Sequence, residues 1–412
     1  MRSGRVPYKL DQLGFVGRGK SKHRPRNDPS LYGGDYPFFQ TGDVKGAELY
    51  LRCFSATYNE KGLAQSKLWQ PGTLCITIAA NIADTSILSI PGCFPDSVVG
   101  FVADPQRSDV FFVKYYLDTL KNAMQSISHG TTQDNLSLEK LLSFDFWVPP
   151  VEEQRKIASV LLAYDDLIEN NTRRIEILEE MARRLYEEWF VQFRFPGHEG
   201  VGFEESELGL TPEGWKVSAL DEFGEIITGK TPSKNKPEFF GGNVPFIKLP
   251  DMHGNTFIIE TTEKLSQEGV GSQKTKTIPP GSICVSCIGT AGVVVITSEP
   301  SQTNQQINSI VPRAPELREF LFFAATSLKD KINNYGATGA TMTNLSRGKF
   351  SSLQVVEPKE DLLCDYNKLA APFFDKILSL QKTNRNLRAQ RDLLLPKLIS
   401  GEIDVSDISM PT

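Results

Sequence analysis

Gly14-Phe-Val-Gly-Arg-Gly19-Lys20-Ser21 fits the spacing G-x-x-x-x-G-K-[ST], and Gly224-Glu-Ile-Ile-Thr-Gly229-Lys230-Thr231 fits it again. That spacing can cradle phosphates on backbone N–H groups while the lysine reaches the terminal ones. The chemistry also needs a buried strand before the loop and a helix after it, whose N-terminus faces the phosphate. Leu10-Asp-Gln-Leu13 is too short and polar for that strand. After the second match, Pro232 and Pro237 bracket Ser, Asn and Lys and deny a prompt helix. Neither place offers a hydrophobic strand ending in Asp to hold magnesium, so nucleotide hydrolysis by this chain is not expected. Cys284-x-x-Cys287 has the spacing of half a zinc site, but no second Cys or His pair completes it and the segment reads as a strand. No metal site is expected. The four histidines are scattered, no Asn-Pro-Pro-Tyr or Asp-Pro-Pro-Tyr run for amino methylation occurs, and no Gly-rich cofactor loop follows a clean strand. No catalytic residue can be named.

Binding chemistry is what remains. Lys20, Lys22, Arg24 and Arg26 crowd one loop, and Lys230, Lys234 and Lys236, with Thr231 and Ser233 among them, crowd another. Such clusters suit DNA phosphates, whatever the total charge. A single loop of this kind reads as a solvated surface; two at corresponding places read as a binding feature. If the phosphates belong to DNA, short polar side chains on Gly-flanked loops can approach base edges in the major groove. Gln40 and Thr41, the stretch His129, Thr131, Thr132 and Gln133, Lys248, and Thr338 and Thr341 are the candidates. Ordinary turn chemistry is the competing reading for each.

These loops sit in a chain that is written twice. Tyr32-Gly33-Gly34-Asp35-Tyr36-Pro37-Phe38-Phe39 returns as Phe240-Gly241-Gly242-Asn243-Val244-Pro245-Phe246-Ile247, an offset of 208, and Asp43 returns as Asp251. Pro71-Gly-Thr-Leu-Cys75-Ile-Thr77 returns as Pro280-Gly-Ser-Ile-Cys284-Val-Ser286, an offset of 209. Gly130 to Ser137 returns as Gly339 to Ser346 at the same offset. A whole domain is duplicated, which is not the pattern of a short solenoid. Two similar domains suggest a pseudo-two-fold object that engages a two-part target.

Residues 1–149 read as the first mixed domain. Strands are expected at Leu74–Ile78 and Ser97–Val102, and a helix from Asp109 to about Gln125. Residues 150–194 read as a long helix. Its seam runs Ile157, Leu161, Tyr164, Ile168, Asn171, Ile175, Leu178, Ala182, Leu185, Trp189, in steps of 4 and 3 that make a heptad repeat. From about 151 to 192 it would span roughly 60 Å. Glu152 and Glu153 suit the dipole of its first turn. Asn171 is the one polar amide in the seam, and a buried Asn fixes register and partner. Phe195-Pro196-Gly197 breaks the helix, and residues 195–214, rich in Gly, Glu and Pro, read as a linker. Residues 215–358 repeat the first domain, with Trp215-Lys-Val-Ser-Ala-Leu220 echoing Tyr8-Lys-Leu-Asp-Gln-Leu13. Residues 359–412 carry a second heptad stretch: Tyr366, Ala370, Phe373, Ile377, Leu380, Asn384, Leu387, Arg391, Leu394, Leu398. Pro372 predicts that this helix begins or kinks there, and Pro396 and Gly401 predict its end. Two apolar stripes most simply bury each other, antiparallel, as a spacer between two heads; packing of each helix on its own domain is the alternative. The fold class expected is α+β, with two tandem mixed α/β domains and two long coiled-coil-like helices.

Composition limits the rest. The chain has 412 residues and a net charge of −5, ordinary for a globular protein of two or three domains. No run of 18 apolar residues marks a membrane span, and MRSGRVPYKLDQLG lacks the apolar core of a signal peptide. Cys75 and Cys284, at matching apolar strand positions, read as buried thiols in a reducing cytosol. A cytoplasmic location is expected.

Taken together these residues resemble the specificity subunit of type I restriction–modification enzymes. The resemblance runs over nearly the whole chain and is strongest in Pro149-Pro150-Val-Glu-Glu153-Gln154-Arg-Lys156-Ile157-Ala with the helix that follows. Leu387 to Ile403 looks like that family's distal helix and tail. Thr228 to Ser233, Gly241 to Phe246, Asp251, Gln305-Gln306-Ile307-Asn308 and Asn344-Leu345-Ser346 look like its target-recognition domains. One departure is Asp96-Ser97-Val98 where the second repeat has Gln305-Gln306-Ile307, so the two heads need not read the same bases. The resemblance implies a subunit without catalysis, whose heads each read half of a bipartite double-stranded DNA site and whose helices set the gap. It implies two adenine methyltransferase subunits as partners, which bring S-adenosylmethionine, and restriction subunits, which bring ATP, magnesium and translocation. No cofactor is expected on this chain. Two other readings stand beside it. One is a coiled-coil protein scaffold, which would lack salt-dependent DNA binding. The other is a phosphate-loop NTPase, which ATP titration of the chain would detect.

Overall fold

The computed structural model describes residues 4–128, 136–336 and 345–408. They form two compact units, one from the chain up to Glu169 together with the stretch from Asn386, the other Asn170–Arg385. No helix among the described residues is long and apolar enough to cross a membrane.

In the first unit a five-stranded sheet has the order Gly14–Arg18, Val98–Ala103, Leu74–Thr77, Thr85–Leu88, Tyr50–Leu51. The last strand runs parallel to its neighbour and the others pair antiparallel. Leu74–Thr77 is buried on both faces, because Leu74 and Ile76 join one apolar cluster and Cys75 joins the opposite one. That is the alternation a strand imposes. Tyr32–Phe38 and Ala56–Tyr58 form a separate antiparallel pair, and the helix Val110–Ser128 contributes Phe112, Val113 and Tyr115 to the core. Val6–Tyr8 pairs antiparallel with Phe146–Val148, so the domain's start is tied to its end.

The second unit repeats this plan. The order is Gly224–Thr228, Ile307–Pro312, Ile283–Ser286, Val294–Thr297, Phe257–Ile258, with the same parallel last pair. Phe240–Ile247 pairs with Glu263–Leu265 and with Gln302–Thr303, and Lys216–Ala219 closes on Gln354–Glu357. Cys284 and Cys287 fall in different apolar clusters. Burial pushes their thiols up, to about 12 and about 11. All six cysteines are free, and the described residues hold no group of three or more metal-ligating side chains.

The two long helices are Val151–Tyr186, continued by a π-turn at Glu187–Val191, and Glu360–Ser400. Each gives one half to each unit. Within each unit the halves run antiparallel: in the first, Asp165 meets Arg391, and Lys156, nearer the start of its helix, meets Ser406 just past the end of the other, while Asn171 meets Asn384 and Tyr186 meets Tyr366 in the second. Ile157, Leu161, Ile168, Ile175, Ile377, Leu380 and the two asparagines are buried. Leu178, Leu185, Leu387 and Leu394 are half-buried.

Several local expectations are corrected. The second helix does not begin at Pro372; it starts at Glu360 and continues through Pro396 to Ser400, ending at Gly401 with φ 78°. A proline inside a helix costs about 3 kcal/mol, which the buried Tyr366, Ala370, Phe374 and Ile377 outweigh. The buried face also drifts from the heptad. Asp165, Tyr186 and Phe374 are buried beside Tyr164, Leu185 and Phe373, which are half-exposed. An α-helix turns every 3.6 residues, not 3.5, and each half-helix also covers a domain core. The 195–214 stretch is not irregular: it holds a hairpin of Phe203–Ser206 and Gly209–Pro212.

Gln154 fastens the first helix to its domain. Fully buried, it donates to the carbonyls of Arg107 at 3.0 Å and Pro149 at 2.9 Å and accepts from the N–H of Asp109 at 3.0 Å. Gln154→Ala strands these groups and will destabilise the first unit by about 2–3 kcal/mol. Differential scanning calorimetry will show this as a lower melting temperature for that unit.

Candidate nucleic-acid interface

The two Gly-Lys-Ser/Thr stretches are edge strands followed by loops. Gly14–Arg18 and Gly224–Thr228 each occupy the rim of a sheet. The next element after each is only a three-residue 3-10 turn, Pro29–Leu31 and Pro237–Phe239, too distant and too short to offer a phosphate a helix N-terminus. The N–H groups that a phosphate loop would offer are already used. Gly19 donates to Val98 and Lys20 to Phe94; Gly229 donates to Ile307 and Lys230 to Thr303. The glycines are required by crowding, since a Cβ on Gly19 would lie 2.3 Å from the Phe94 carbonyl oxygen and one on Gly229 would lie 2.2 Å from that of Asn304.

What these strands do is launch the basic loops. In the first, Lys20, Lys22, Arg24 and Arg26 are all exposed. Arg26 makes a two-point ion pair with Asp96 at 2.7 and 3.0 Å. Arg24 donates to the carbonyls of Ser21 at 2.6 Å and His23 at 2.8 Å, holding the loop in shape. His23 bonds Asp28 at 2.8 Å. Two hydrogen bonds from Ser30, backbone first, and then His23 hold the Asp28 carboxyl below its usual range. Among the described residues Lys20 and Lys22 have no ion-pair partner, so they are the side chains with charge to spare for an anion. In the second loop Lys230, Lys234, Lys236 and Ser233 are exposed. Lys236 sits 5.1 Å from the Phe239 ring, and Thr231 donates to Gln305 at 2.7 Å.

A glutamine latches each loop. Gln65 accepts from the His23 N–H at 3.0 Å, and Gln273, 208 residues on, donates to the Lys230 carbonyl at 2.6 Å. Neither was singled out from sequence, although the shared offset is a usable signal. Lys67 was also missed. Its ammonium lies 3.5 Å from the Trp69 ring centroid and 4.6 Å from that of Phe15; burial, then the charge of Lys20, pushes its pKa down.

Next to each basic loop is a capped turn. Asp43 accepts from the Gln40 N–H at 2.7 Å, and Thr41 opens the short helix Thr41–Gly46. Asp251 accepts from the Lys248 N–H at 2.9 Å, and the Lys248 ammonium pairs with Glu263. His129, Thr131, Thr132, Gln133, Thr338 and Thr341 lie outside the described residues.

Comparison with known proteins agrees with this architecture. Residues 5–180 and 212–387 each match the type I restriction modification DNA specificity domain family. The chain is 35% identical over 333 residues to the type I restriction enzyme HindI specificity subunit of Haemophilus influenzae, covering 67% of this chain and 72% of that one. It is 26% identical over 419 residues to the MjaIX specificity subunit of Methanocaldococcus jannaschii, covering 98% and 96%. Its fold is similar to that of the type I restriction-modification S subunit from M. genitalium, with a TM-score of 0.59 at 17% identity over 96% of each chain. With two specificity domains in tandem, the chain belongs to the type I restriction–modification specificity subunits and is a DNA target-recognition subunit.

Proposed function

We propose that this chain reads a bipartite double-stranded DNA site, one half-site per head, and carries out no chemical step itself. The observation that carries the reading is the recurrence of one sheet order, with a basic loop and a capped turn at the same places in both units. Its long helices hold two adenine methyltransferase subunits, which supply S-adenosylmethionine, and restriction subunits, which supply ATP- and magnesium-dependent translocation and cleavage, in the cytoplasm. The net charge of −5 fits a subunit whose partners provide part of the surface closing on DNA. Phosphate contacts position the heads and base contacts specify.

Lys230 and Lys234 test the positioning role. Changing both to Ala in the assembled methyltransferase will weaken specific and non-specific DNA binding together. It will also reduce the steepness of log K against log salt by roughly 2, since each phosphate contact contributes about 0.9. Titration of fluorescent duplexes between low and moderate salt measures it. An unchanged slope contradicts the assignment, and salt-independent binding by the parent complex would favour a protein scaffold.

A further inference from the structure

We propose that in each head a clamped pair of side chains reads one base pair: Gln40 with Ser55 an A·T pair, and Lys248 with Glu263 a G·C pair. This rests on the reading of DNA recognition given above. Three positions recur at one offset of 208: Gln40 and Lys248, Asp43 and Asp251, Ser55 and Glu263. The aspartate is the same in both heads and does the same work. Its carboxylate fixes the backbone N–H of the residue three before it, at 2.7 Å in the first head and 2.9 Å in the second. It also anchors the facing strand, through Ser55 at 3.0 Å in the first head and through Thr262 at 2.7 and 2.9 Å in the second. The other two positions touch each other in both heads, Gln40 to Ser55 at 3.3 Å and Lys248 to the Glu263 carboxylate. Only their chemistry differs: amide and hydroxyl in one head, ammonium and carboxylate in the other.

The pair stands where DNA would be met. Phe39, fully buried, donates its N–H to Cys93, and the next residue, Phe94, accepts from Lys20 of the basic loop. In the second head Ile247, also fully buried, pairs with Thr303, whose carbonyl accepts from Lys230. One short segment thus joins the phosphate-seeking loop to the clamp in each head. A rigid backbone with a buried anchor on one side and an aspartate cap on the other presents a side chain in a set direction, as base reading demands. The Lys248–Glu263 pair is only partly buried, with side chains 24% and 39% exposed, and such a pair adds little to stability. The Phe246 ring beneath Lys248 has its counterpart in Phe38, 208 residues earlier, so it does not account for the swap of an amide–hydroxyl pair for an ion pair.

The chemistry names the base pairs. A glutamine amide matches adenine N6 and N7, and a serine hydroxyl accepts or donates beside it. A lysine donates to guanine O6 and N7 while a glutamate accepts from cytosine N4. Lys248 and Glu263 satisfy each other in the free protein and separate onto the two bases of one pair.

The test is to map methylated adenines genome-wide in cells that carry the whole enzyme with the parent chain, with Q40K/S55E, or with K248Q/E263S. The first variant will change one position of one half-site from A·T to G·C and leave the other half intact; the second will do the reverse in the other half. If either double variant abolishes methylation, Gln40→Ala and Lys248→Ala, which only remove side-chain atoms, take its place. Each will relax discrimination at one position by on the order of tenfold to a hundredfold. A parent motif unchanged at every position in these variants overturns the pair assignment. A parent chain that directs no bipartite motif overturns the DNA-recognition reading itself.

Discussion

Asp165→Ala will destabilise the first unit by about 3 kcal/mol, the low end for breaking a buried ion pair, because it leaves Arg391 with only the exposed Asp392 and takes away the acceptor of the Tyr115 hydroxyl. Asp165 is buried, accepts from the Tyr115 hydroxyl, and forms an ion pair with Arg391, whose side chain is 19% exposed. Burial works against the Arg391 charge, but the Asp165 carboxylate outweighs it and holds that pKa up; burial, and then Asp165, push the Tyr115 hydroxyl up. Three helices meet at this triad. The second unit has Phe374 and Ala182 at the places related to Asp165 and Arg391 by an offset of 209, and Phe323, 208 after Tyr115, lies 5.7 Å from Phe374. The same junction is ionic in one unit and apolar in the other. Transplanting the apolar set, Tyr115→Phe with Asp165→Phe and Arg391→Ala, will therefore leave the first unit within about 1 kcal/mol of the parent or more stable, as replacing a whole buried ion pair does. Guanidinium unfolding distinguishes the two outcomes. Of the four tryptophans, Trp69 and Trp147 report on the first unit and Trp189 and Trp215 on the second. Equal losses in the single and triple variants would contradict this account of the triad.

Lengthening both long helices by one heptad will widen the gap between the methylated half-sites by one to three base pairs and leave both half-site sequences unchanged. The insertions belong between Glu169 and Asn170 and between Arg385 and Asn386, where each helix passes from one unit to the other. Seven residues add about 10 Å at 1.5 Å each, close to three base pairs at 3.4 Å, and they keep the apolar faces aligned. A duplex turns once in about ten base pairs, so a three-base-pair step carries roughly a third of a turn, and resistance to that twist sets the lower end of the range. Two residues inserted in one helix alone rotate its face by about 200° and will prevent assembly. A soluble, active heptad variant with an unaltered gap would show that the helices do not set the spacing.

How far the sequence carried these conclusions depends on what each feature rests on. The duplication and both long helices were legible, because a 208–209 offset and a 3–4 seam are properties of the chain alone. The facing of Asp165 was not, since it depends on Arg391 and Tyr115, residues 226 and 50 positions away. Pairings such as Val6 with Val148 were equally invisible. The hairpin at 203–212 escaped because its strands are only four residues long and mostly exposed, with no apolar alternation to betray them. At the candidate interface the lysines were legible as a charge cluster, while Arg24 and Arg26 were not separable from them. Only the structure ties those two to the loop's own carbonyls and to Asp96. Asp43 and Asp251 were legible as a repeat, but Ser55 and Glu263 needed the facing strand to bring them in.

The central claim is that one head reads one half-site. Exchanging residues 1–149 for the corresponding head of another specificity subunit, and mapping methylated adenines genome-wide with the parent and the exchanged chain, tests it most directly. The account predicts that one half of the methylated motif changes while the other half and the gap stay as they were. A change in both halves, or in neither, would contradict it.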